Sequence, residues 1–80
     1  MDDIEDFAAK WARETREELQ GLVDPICDRI RRQAVTESEA RELMAQARLQ
    51  ASFLIPDQMD LYDQIYENRF ERLIEQFLRS

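Results

Sequence analysis

The stretch Thr36-Glu37-Ser38-Glu39-Ala40-Arg41-Glu42-Leu43-Met44-Ala45-Gln46-Ala47-Arg48-Leu49-Gln50-Ala51-Ser52-Phe53-Leu54 decides how the rest of the chain is read. It opens with Thr36 followed three residues later by Glu39. In that pattern a hydroxyl and a carboxylate each satisfy an otherwise unpaired backbone N–H at a helix start. Behind the cap, Ala40, Leu43, Met44, Ala47, Ala51 and Leu54 recur at steps of three or four, the spacing of one helical face. Glu37 and Arg41, one turn apart, add a favourable pair. The alanines let a neighbouring helix approach closely. Pro56 ends the helix, because the residue before a proline is pushed out of the helical region. Ala45, Leu49 and Phe53 fall on the opposite side. A helix with two apolar faces needs two things to pack against.

Towards the N-terminus, from about residue 3 to 33, Ile4, Phe7, Ala8, Trp11, Thr15, Leu19, Leu22, Ile26 and Ile30 keep the same spacing. Asp2, Asp3, Glu5 and Asp6 sit where a helix dipole favours negative charge. Asp6 with Lys10 and Asp28 with Arg32 are pairs at i,i+4. Gly21 and Pro25 interrupt the block. Asp24 could cap a new helix with Pro25 at its first position. Alternatively, one helix continues with a kink. The apolar phase runs from Leu22 to Ile26 without a jump, and Gly21, four residues before Pro25, lets the backbone bend away from the ring. A continuous helix kinked near Pro25 is therefore expected.

Beyond Pro56, Asp57 is placed to cap a third helix with Asp60 in its first turn. Its face is Met59, Tyr62, Ile65, Tyr66, Phe70, Leu73 and Phe77, with Arg79 at the end that favours positive charge. The gaps between blocks, around 32–35 and 55–57, are short, and short connections make successive helices antiparallel neighbours. The sequence thus predicts a single all-α domain over residues 1–80. It has three main antiparallel helices in an up-down-up bundle or hairpin, the first long and kinked near Pro25, completed by dimerisation.

Composition narrows the function. Eighty residues bury a limited core, so a chain this size often relies on a disulfide, a metal or a partner. Cys27 is the only cysteine, which excludes an internal disulfide, and there is no histidine to serve as metal ligand or neutral-pH base. No cofactor is expected, and no catalytic or metal site. Eighteen acidic against eleven basic residues give a net charge of −7, which disfavours direct contact with nucleic acid or anionic lipid. No apolar run approaches the ~18 residues of a membrane span. The acidic opening Met1-Asp2-Asp3 is unlike the basic start of a secretion signal, so a cytoplasmic protein is expected.

Asp60, Asp63, Glu67, Glu71 and Glu75 read as a solvated face of the third helix. Arg29, Arg31 and Arg32 read as charge at a helix C-terminus. Cys27 reads as a small buried hydrophobe. Arg69 lies within the aromatic face, either packed on tyrosine through its stem or serving as an interface anchor. The expected role is a noncatalytic protein–protein interaction module. Leu49, Phe53, Tyr62, Tyr66, Arg69, Phe70 and Phe77 would form its interface, either in a homodimer or with a partner protein. The alternative is an acidic regulator covering a basic, nucleic-acid-binding surface of a partner.

Overall fold

Residues 11–79 are described in the computed structural model, and they form three helices with no strand among them. The first, α1 (Arg13–Arg31), passes without a break through Pro25. A separate helix opening at Asp24 is therefore not formed. Gly21 is exposed, and a Cβ built there would meet nothing within 4 Å. Gly21→Ala should accordingly raise stability by about 0.5–1 kcal/mol, the usual helical advantage of alanine. Urea unfolding measures it, and a loss would show that the Pro25 ring needs the glycine.

The start of α1 differs from expectation. Ala12 adopts φ −58° and ψ 152°, so the helix begins after it and Trp11 stands outside. Trp11 is held by its own seat. Its indole stacks on Tyr66 with centroids 6.0 Å apart and planes at 10°. Its Nε1–H donates to the Gln58 side chain. Burying a large amphipathic ring with its N–H satisfied outweighs adding a residue to a helix end. Ile4, Phe7, Ala8 and the Asp6–Lys10 pair lie outside the described residues.

α1 closes at Arg32, followed by Gln33 in the left-handed region at φ 56°. The Ala34 N–H reaches back to the Arg29 carbonyl at 2.9 Å, a wrap that satisfies helix-end carbonyls. Gln33 Nε2 also donates to the Phe77 carbonyl at 2.8 Å, tying this turn to the far end of the chain.

The second helix, α2 (Glu37–Leu54), is capped as its sequence predicts. Thr36 Oγ1 accepts from the Glu39 N–H at 3.1 Å, and Glu39 Oε1 accepts from the Thr36 N–H at 2.9 Å. Its inner face, Ala40, Met44, Ala47 and Ala51, is buried.

The third helix follows a 3₁₀ turn at Pro56–Gln58. Asp57 does not cap it. The Gln58 N–H already bonds the Ile55 carbonyl at 2.9 Å, which places Asp57 in the middle of that turn. The helix, α3, then runs through Met59–Tyr62, Asp63–Glu67, Asn68–Leu73 and Ile74–Leu78. Its second and fourth segments are π-helical. The Asn68 N–H bonds the Asp63 carbonyl, and the Arg79 N–H bonds the Ile74 carbonyl at 3.1 Å, five residues back in each case. Each π turn holds one extra residue and so takes back about 100° of helical phase. Ile74, one regular turn after Phe70, is fully buried beside it, and Phe77 is half-buried.

The core joins Leu19, Val23, Ile26, Cys27 and Ile30 of α1 to the small face of α2 and to Tyr62, Ile65, Tyr66, Phe70 and Ile74 of α3.

Candidate interaction surface

The seven residues expected at an interface separate into two groups. Tyr62, Tyr66 and Phe70 are within 2% of complete burial, covered by the chain itself and unavailable to a second chain. Tyr62 and Tyr66 also pack on each other with centroids 5.2 Å apart. The reason is the seat for Trp11 and the small inner face of α2, which let one chain enclose more aromatic surface than a single neighbouring helix could. Phe77 is half-buried at the end of α3. Arg69 is also half-buried, its guanidinium carbon 6.0 Å from the Tyr66 ring centre, so it is engaged within its own chain. Burial pushes the nearby Cys27 thiol above its ordinary value, against the opposing pull of Arg69 and Arg31.

Leu49 and Phe53 form the other group. They are 62% and 77% exposed, and Leu54 beside them is 40% exposed. No other large hydrophobic side chain is so open among the described residues. Leu49 and Phe53 lie on the side of α2 opposite Ala40, Met44, Ala47 and Ala51, whereas Leu54 is exposed at the end of the inner face.

The acidic side of α3 is not simply solvated. Arg48 holds Asp63 through two bonds of 2.9 Å, and Arg41 holds Glu71 through bonds of 2.8 and 3.0 Å. Arg79 grips Glu37 at 2.8 and 3.2 Å, and Arg41 also bonds Glu37 at 3.1 Å. These contacts hold the Glu37 carboxyl down to about 2 and push Glu71 in the same direction. At a regular 100° per residue, Asp63 and Glu71 would stand about 80° apart. The π turn at Asp63–Glu67 removes most of that angle and aligns both carboxylates with the arginines of α2.

Glu67 falls inside that turn without such a partner. Its Oε2 and the Tyr62 hydroxyl are buried and unbonded. Burial, with Asp63 and Glu71 nearby, raises the Glu67 carboxyl despite Arg48 and Arg41. A raised carboxyl favours the fold when protonated and loses that contribution as pH climbs through the folded value. Glu67→Gln should therefore raise the melting temperature at pH 7, with the gain shrinking as pH falls through the raised carboxyl's range and it becomes protonated. Melting followed by circular dichroism across that range measures it. An unchanged or lower melting temperature at pH 7 would count against an uncompensated carboxylate.

Among the described residues, no three His, Cys, Asp or Glu side chains gather as a metal site. No helix there is long and apolar enough to cross a membrane. An open depression over Gln64, Asn68, Glu71, Arg72 and Glu75 sets no nucleophile beside a base. Arg29 and Arg31 occupy the last turn of α1, where positive charge suits the helix end. Neither the family models, the curated proteins nor the solved structures contain a match to this chain.

Proposed function

We propose that this protein is a noncatalytic helical interaction module, acting in the cytoplasm, whose outward face of α2 binds a second copy of the chain. The observation that carries the reading is the exposure of Leu49 and Phe53, while Trp11, Tyr62, Tyr66 and Phe70 are enclosed. Apolar burial is worth about 25 cal/mol per Å², so covering these two residues yields appreciable binding free energy. Closed two-fold dimers are the commonest way to do so.

The helices run up-down-up in this reading. Support comes from the ion pairs Glu37–Arg79, Arg41–Glu71 and Arg48–Asp63, whose members advance along α2 while retreating along α3. The short turn between α1 and α2 agrees with it.

The acidic-regulator reading has less support. A charge mimic needs free carboxylates on one broad surface, and here Glu37, Asp63 and Glu71 are each gripped by arginine.

Light scattering across the micromolar range, at low and high salt, tests the proposal. About twice the 9.6 kDa chain mass is expected at both salts, because apolar contacts are little screened. A monomer throughout would defeat self-association, and a dimer lost at high salt would point to charge instead.

A further inference from the structure

From the geometry of α2 we infer that two copies meet through this helix in antiparallel register, with Leu49 on the two-fold axis and each Phe53 seated over Ala45 of the other copy. The inference rests on the self-association proposed above and specifies its contact. Ala45, Leu49 and Phe53 follow one another at i, i+4 and i+8, and all three are exposed. Residues spaced in this way form a single row on a helix. Ala45 and Phe53 each stand four residues from Leu49, in opposite directions. A two-fold axis through Leu49 therefore sets the bulkiest side chain of the row opposite the smallest, twice. A parallel pairing would stack Phe53 on Phe53 and leave a gap between the two Ala45 positions. Close packing favours the first arrangement.

The same axis places Gln46 opposite Ser52, two uncharged polar side chains fit for the rim. Charge points the same way. Two copies carrying −7 each repel, so their contact needs a neutral strip. Ala45, Gln46, Leu49, Gln50, Ser52 and Phe53 supply one, and Arg48 is committed to Asp63 beside it. Glu42, the nearest outward acid, lies seven residues before Leu49, and its symmetry-opposed position falls beyond the end of α2 at Leu54 rather than on another carboxylate of that helix. The row offers only a few hundred Å² per copy, well below the ~800 Å² of a standard interface, so a micromolar dimer is the expected strength.

Single-cysteine cross-linking under mild oxidation, with light scattering on the same samples, tests this. Cys27 is buried, and the unsubstituted chain serves as its control. Leu49→Cys should form a covalent dimer readily, because the residue meets itself at the axis. Ala45→Cys or Phe53→Cys alone should cross-link at least tenfold less. Each would lie about 12 Å along the axis from its own copy, beyond disulfide reach. Mixing the two variants should restore cross-linking between them. A light-scattering dimer in which Leu49→Cys stays uncoupled, or in which Ala45→Cys couples to itself, would overturn the register and leave self-association standing. A monomer with no cross-link would overturn both. Labelling of Leu49→Cys by a thiol reagent would then tell a face left for a different protein, which labels, from one covered within the chain, which does not.

Discussion

Phe70→Ala should cause a large loss of stability, about 3–5 kcal/mol. Phe70 is fully buried in α3 within the shared core, and that is the usual cost of truncating such a ring. A domain of this length has roughly 4–12 kcal/mol in total at ~0.05–0.15 kcal/mol per residue, so the loss is a substantial part of it. Phe53→Ala is the control. Its ring is 77% exposed, and in the isolated monomer its removal should change stability by no more than about 0.5 kcal/mol. Urea unfolding monitored by circular dichroism at low protein concentration separates the two. Equal losses would mean that Phe53 is also buried by its own chain.

The contrast between these phenylalanines shows how far the sequence could be read. Leu49 and Phe53 were visible as an outward pair because α2 is a regular helix, and its cap, formed by Thr36 and Glu39, is a local signal. Continuity through Pro25 was legible for a similar reason, since apolar phase survives a proline. In α3, regular periodicity found the buried face but not the pairing of its acidic side with α2. The π turn at Asp63–Glu67 takes back one residue of phase, so Asp63 aligns with Glu71. That turn has no local signature such as Gly or Pro, and it accompanies the reach of Arg41 and Arg48 from another helix. A clue was present all the same. Arg41 and Arg48, seven residues apart, match Asp63 and Glu71, eight apart, in opposite order. Trp11 was misread because only tertiary structure supplies Tyr66 and Gln58 as its seat. The aromatic face of α3 looked too rich for one neighbouring helix, yet α1, α2 and Trp11 together enclose most of it.

That enclosure decides what the paired substitution Leu49→Glu/Phe53→Glu should do. Tyr62, Tyr66 and Phe70 belong to the monomer's own core, so the variant has no buried residue to lose and should keep its helical signal and its melting behaviour. A carboxylate at position 49 set against its symmetry mate, and one at position 53 set over Ala45, should nevertheless abolish the dimer, since desolvating unpaired carboxylates costs far more than a weak contact yields. The decisive measurement is light scattering of wild type and double variant side by side, each checked by circular dichroism. The account predicts about 19 kDa for wild type, twice the 9.6 kDa chain, and a folded monomer for the variant. A variant that remains dimeric, or a wild type that is monomeric across the micromolar range, would contradict it.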